Sequence, residues 1–105
     1  MLTRPVLQQV TDLIVRIAKP KKVFLFGSRA NGTATSDSDF DFMIVVSDDV
    51  QDLRTLRRLL HLEISSLISS PCDVLIEHES AFNQRSSLPT IERTILETGQ
   101  RLYAA

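Results

Sequence analysis

Apolar residues along this chain alternate between two spacings. Val6, Leu7, Val10, Leu13, Ile14 and Ile17 recur at three- and four-residue steps, the spacing of one face of an α-helix. With Thr3 as N-cap and Pro5 tolerated in the first turn, this predicts a helix over Arg4–Ala18. Pro20 ends it, and Lys22–Phe26 (KVFLF) is a short β-branched and aromatic run halted by Gly27, which predicts a buried strand. Gly27–Ser38 (GSRANGTATSDS) is too rich in small and polar residues to pack in a core. It predicts a long loop with room for one helical turn. Asp39–Val46 (DFDFMIVV) then alternates, with Asp39, Asp41 and Met43 on one face of a second strand and Phe40, Phe42 and Ile44 on the other.

Asp48 or Asp49 is placed to cap a helix over Val50–Ser69, in which Leu53, Leu56, Leu60, Ile64, Leu67 and Ile68 trace an apolar stripe opposite Arg54, Arg58, His61 and Ser65. Pro71 closes it. Cys72–Ile76 (CDVLI) predicts a third strand that turns Cys72, Val74 and Ile76 to one side and Asp73 to the other. Ser86 or Ser87 with Pro89 opens a last helix through Ile91, Ile95 and Leu96, Gly99 stands at its C′ position, and Arg101–Tyr103 adds an edge strand. The alternation of strands and helices predicts an α/β fold with a mixed sheet of about four strands. No repeat, low-complexity tract or linker divides the chain, so one domain is expected over residues 1–105.

Composition narrows the function. Hydrophobic residues make up 43% and charged residues 24% of the 105 positions, values of an ordinary globular domain rather than of a disordered chain. The net charge of -1 gives no positive field to attract a polyanion, so nucleic acid is not expected as a direct stable partner. A lone cysteine, Cys72, excludes an internal disulfide and fits a reducing, cytoplasmic setting. Neither a signal peptide nor a membrane span is evident. A core this small leaves no deep cavity, so a site is expected in an open cleft.

The chemistry concentrates in Gly27-Ser28, then ten residues, then Asp39-Phe40-Asp41, with Asp73 in a later strand. Gly27 lets a backbone approach a phosphate and Ser28 adds a hydroxyl donor. Asp39 and Asp41, two apart on a strand, share a face and suit a hard cation; Mg²⁺ takes one or two carboxylates together with substrate phosphates. A divalent metal with a nucleoside triphosphate is the expected occupant.

GSRANGTATSDSDFDFMIV followed by CDVLI resembles the G-S-x10-D-x-D signature of the DNA polymerase β-type nucleotidyltransferases. The chain is similar to their smallest members, the minimal nucleotidyltransferase (MNT) proteins of the MntA-like antitoxin type, and its closing ILETGQRLY is similar to the way such domains end. The resemblance implies the minimal nucleotidyltransferase fold. It implies that Gly27 and Ser28 hold the β- and γ-phosphates, that Asp39 and Asp41 hold metals, and that Asp73 completes a two-metal Mg²⁺ site. It also implies a partner, since such domains accompany small helical HEPN-domain proteins and transfer AMP onto them. Larger relatives add domains that grip primer, RNA or base, and this chain has no residues to build them. The expected activity is transfer of a nucleoside monophosphate, AMP from ATP, to a hydroxyl acceptor on such a partner. The alternative is an idle site in a protein that neutralises its partner by surface contact. Base preference, acceptor and homo-oligomerisation stay open.

Other residues have plainer readings. Arg29 is either a phosphate contact or a solvated loop arginine, and Asp37 a loop cap. His61 and His78, without a second His or Cys nearby, read as surface residues rather than zinc ligands. Cys72 reads as a core residue, the cluster Arg54, Arg57 and Arg58 as a solvated helix face, and the strand phenylalanines Phe24, Phe26, Phe40 and Phe42 as packing.

Overall fold

The structure, a computed structural model, describes residues 4–34 and 38–105; Thr3 and Asp37, for which caps are expected, lie outside them. Helix α1 (Arg4–Ala18) leads into strand β1 (Lys22–Phe26), a one-turn helix α2 (Ser28–Asn31) and strand β2 (Phe40–Val46). Helix α3 (Leu53–Leu67), strand β3 (Cys72–His78), helices α4 (Glu79–Ser86) and α5 (Ile91–Thr98) and strand β4 (Gln100–Ala104) complete the described chain. The sheet runs β3-β2-β1-β4. β1 is antiparallel to both β2 and β4, while β2 and β3 are parallel, the direction that a long crossover such as the one through α3 permits.

Alternation along the strands assigns the two faces. Val23 and Leu25, Phe40, Phe42, Ile44 and Val46, and Val74 turn toward α1 and α3, where Val10, Leu13, Ile14, Leu60, Ile64 and Ile68 meet them. Phe24, Met43 and Val45 turn the other way, against Phe82 of α4 and Ile95 of α5. Phe24 and Phe82 stack at 5.6 Å between ring centroids. Each such side chain contributes roughly 1.5–3 kcal/mol when fully buried, so these two clusters dominate folding.

Several local expectations are corrected. Helix α3 is shorter than Val50–Ser69 because its cap is Asp52, whose Oδ1 accepts from the Thr55 backbone N–H at 3.1 Å. Asp48 instead accepts from the Ser80 N–H at 3.0 Å and so satisfies the start of α4. The segment after β3 is itself a helix, α4, with Phe82 as its single buried residue; one apolar contact in eight residues leaves no period to read. Ser86 ends α4, and Thr90 caps α5 by accepting from the Arg93 N–H at 3.3 Å. Gly99 is extended (φ -73°, ψ 161°) rather than left-handed. A Cβ there would stand 2.5 Å from the Ile95 carbonyl oxygen, so glycine is needed for close passage of the chain into β4.

Both histidines are half-buried rather than on the surface. His61 Nε2 lies 3.2 Å from the Cys72 carbonyl oxygen and His78 Nε2 lies 2.6 Å from that of Val50. With the proton on Nε2, each ring donates to that carbonyl, and together they fasten both ends of β3 to the α3 segment. Cys72 is half-buried, its Sγ 3.5 Å from Ser65 Oγ. No helix among the described residues is long and apolar enough to cross a membrane.

Candidate active site

Because β1 runs antiparallel to β2 and β2 runs parallel to β3, the end of β1 and the starts of β2 and β3 meet at one edge of the sheet. That edge gathers the candidate site residues. Phe26 pairs with Asp41, and Asp41 pairs with Asp73, so the two carboxylates stand side by side on neighbouring strands about 4.8 Å apart. They occupy the face opposite Phe40 and Phe42, as the strand alternation predicts. Asp39 and Asp73 are exposed and Asp41 is half-buried, so the site is open to solvent. Burial first, then the neighbouring charges of Asp73 and Asp39, push the Asp41 carboxyl above its ordinary range. Like charges crowd there.

Gly27 follows β1 directly, with φ 76° and ψ -155°, a conformation essentially restricted to glycine. A Cβ at this position would stand 2.5 Å from Asp41 Oδ2. The turn and the carboxylate therefore touch, and only a residue without a side chain permits it. Beyond the turn, the Ala30 N–H donates to the Gly27 carbonyl at 3.0 Å and the Thr33 N–H to that of Ser28 at 3.2 Å, which closes α2 and leaves Ser28, half-buried, at its start.

Arg29 points back across this turn. Its Nη2 donates to the Ser38 carbonyl at 2.9 Å, and its Cζ lies 4.2 Å over the Phe40 ring. Phe40 is 4% exposed, so the guanidinium rests on an immobile part of the core.

No three His, Cys, Asp or Glu side chains among the described residues form a ready-made metal cage. The donor set nevertheless fits Mg²⁺, which takes one or two carboxylates and completes its shell with water and phosphate oxygens.

A second acidic pair lies further along the same face. Glu92 of α5 is 3% exposed, and its Oε2 accepts from Arg85 Nε at 2.7 Å. Its Oε1 is buried without a donor while Glu77 is ionised. Burial, a hydrogen bond to Glu92 and the Glu92 charge push Glu77 up to about 7; the protonated Glu77 and then Arg85 hold Glu92 well below its ordinary range against the opposing effect of burial. The sequence concealed this pair, because β3 was expected to stop at Ile76 and α5 was expected to show only its apolar stripe.

The family model for the nucleotidyltransferase domain matches residues 7–102. A protein of Methanocaldococcus jannaschii, named as a candidate protein adenylyltransferase, is 35% identical over 83 residues, which is 79% of this chain and 78% of that protein. A crystal structure of a toxin-antitoxin with AMP-PNP superposes with a TM-score of 0.67 at 23% identity, covering 93% of this chain and 73% of that one. A structure of a tri-AMPylated Shewanella oneidensis HEPN toxin in complex with an MNT antitoxin gives 0.58 at 18% identity, covering 98% and 74%. At these identities the structural likeness establishes the fold.

Proposed function

This chain belongs to the nucleotidyltransferase domain family and is a nucleotidyltransferase, and from that premise we propose that it moves AMP from ATP onto a hydroxyl of a HEPN-type partner protein, as the antitoxin of the pair. The observation that supports this most directly is the contact of Gly27 with Asp41 beside Asp73. It brings the glycine turn directly against one of two neighbouring carboxylates. Gly27 and Ser28 hold the β- and γ-phosphates through backbone N–H groups and the Ser28 hydroxyl. Asp41 with Asp73 beside it, and Asp39 two residues before Asp41, are the carboxylates that would hold Mg²⁺. When bound, that ion neutralises the triphosphate and makes the acceptor hydroxyl easier to ionise. The acceptor oxygen then attacks the α-phosphorus in line, its bond to the bridging oxygen of the β-phosphate breaks, and pyrophosphate leaves while the hydroxyl proton passes to solvent.

A protein acceptor is favoured over RNA or DNA by two features. The net charge is -1, and Phe24, Phe40, Phe42 and Phe82 are buried in the core, which leaves them unavailable for base stacking. The reading assigns the protein to the cytoplasm, where the lone thiol of Cys72 stays reduced.

The test is intact-mass analysis of the co-purified partner after incubation with ATP and Mg²⁺. The partner gains whole AMP units with the wild-type protein and none with Asp41→Asn. Label appearing on RNA instead overturns the protein acceptor. A partner neutralised without any mass change overturns the enzymatic reading in favour of surface contact alone.

A further inference from the structure

The Gly27-Ser28 turn and Asp39 lie in chain segments joined by a long polar loop, yet two-metal and triphosphate chemistry requires them in fixed register, since a displacement of about 1 Å at a reacting centre costs on the order of 100-fold in rate. One side chain spans them. Arg29 leaves α2, lays its guanidinium over the ring of Phe40 and donates to the Ser38 carbonyl. Ser38 immediately precedes Asp39 and Phe40 immediately follows it, so the two contacts fix the chain on both sides of residue 39. Nε of Arg29 is buried and has no hydrogen-bond partner among the described residues, a desolvation that a group meant only for solvent would avoid.

We propose that Arg29 is a positioning residue that sets Asp39 against the Gly27-Ser28 turn, and that its guanidinium serves the start of β2 rather than the phosphates. This rests on the nucleotidyl-transfer reading. The two roles call for different chemistry. A phosphate contact needs positive charge, which lysine also supplies. The tie to Ser38 and Phe40 needs a flat group that stacks and donates in its own plane at once, which the compact ammonium of lysine cannot do.

Arg29→Lys, which keeps the charge, and Arg29→Met, which keeps length without charge, separate these roles. Three quantities are read for each: the AMP-transfer rate at saturating ATP and Mg²⁺, the dissociation constant for ATP with Mg²⁺, and the backbone amide resonances from Ser38 to Asp41. The expected result is a rate lowered about 10- to 100-fold in both variants, ATP affinity within about threefold of wild type, and amide shifts confined to residues 38–41 and α2. Affinity weakened more than tenfold in Arg29→Met and restored in Arg29→Lys, with the rate unchanged, overturns the proposal in favour of a phosphate contact. Wild-type values for all three quantities overturn it as well. If the wild-type protein transfers nothing, the nucleotidyl-transfer reading fails, while amide shifts still decide whether Arg29 ties Ser38 and Phe40 to the turn.

Discussion

Replacing Gly27 by alanine tests the contact on which the site depends. The backbone there has φ 76° and ψ -155°, and holding a residue with a side chain in such a region costs of order 1–3 kcal/mol. The added Cβ also meets Asp41 Oδ2 at 2.5 Å. Because Asp41 is half-buried, its carboxylate can swing outward, which relieves the collision but removes the oxygen from the site. The backbone share remains, and at about 4–8 °C per kcal/mol for a domain of 60–100 residues the melting temperature falls by roughly 5–20 °C. Thermal unfolding of wild type, Gly27→Ala, Asp41→Ala and the double variant divides the two effects. Asp41→Ala in the Gly27→Ala background recovers the steric share, and the double variant still melts below Asp41→Ala alone by the backbone share. AMP transfer is lost in Gly27→Ala even at temperatures where it stays folded. A Gly27→Ala protein with wild-type melting and wild-type transfer refutes the reasoning outright.

Asp41→Asn removes a half-buried carboxylate that its neighbours repel, so transfer falls by several orders of magnitude while the melting temperature at pH 7–8 holds or rises; a clear fall in melting temperature marks Asp41 as structural. Asp73 is exposed at the rim of the pair, so Asp73→Asn lowers turnover by orders of magnitude but changes nucleotide affinity less than about tenfold, and unchanged turnover removes it from the site. Glu77, pushed up to about 7, keeps its proton in the folded protein after the unfolded chain has lost it, so stability falls as pH rises from about 4.5 to 7. Glu92 is held low and acts oppositely, contributing stability above its ordinary range that is lost as pH falls below it. Melting curves from pH 5 to 8 therefore slope downward in wild type and flatten in Glu77→Gln, whose amide supplies Glu92 Oε1 with a permanent donor; equal slopes refute the pairing. Asp41 has the same sign as Glu77, and comparison with Glu77→Gln cancels its contribution.

The parts legible in the sequence are those that a single period dictates. The limits of α1 and β1, Arg4–Ala18 and Lys22–Phe26, follow from one apolar face and one short run bounded by Pro20 and Gly27. The separation of Asp41 and Asp73 from Phe42 and Val74 follows from strand alternation alone, and it placed both acids on one face before their register was known. Contacts that long-range packing decides were hidden. Asp48 looks like a cap for the helix that follows it, and only the return of the chain after β3 gives its oxygen the Ser80 N–H instead. Helix α4 forms because Phe82 stacks on Phe24 of another element. The two histidines read as surface residues, and Arg29 as a phosphate contact or a solvated arginine, because their acceptors are backbone carbonyls, which carry no mark in a sequence.

The same face of the sheet holds two acidic pairs with different tasks, and the rows of the sheet keep them apart. Asp41 and Asp73 pair in one row; Met43 and Leu75 follow in the next, and Val45 and Glu77 in the row after that. Met43 is fully buried and packs with Phe24 and Phe82, so the β2 and β3 positions between the acidic pairs, Met43 and Leu75, are apolar. Asp73 and Glu77, four residues apart on one strand, are separated by about 13 Å at 3.3 Å per residue, beyond a Debye length of about 8–10 Å at ordinary salt. Charge at Glu77 and Glu92 thus bears on how α5 is held more than on the carboxylates of the candidate site. Crowded carboxylates cost stability wherever they stand; here Asp41 and Asp73 stand at the open edge, while Glu92 is buried beside the half-buried Glu77 with Arg85 to balance it.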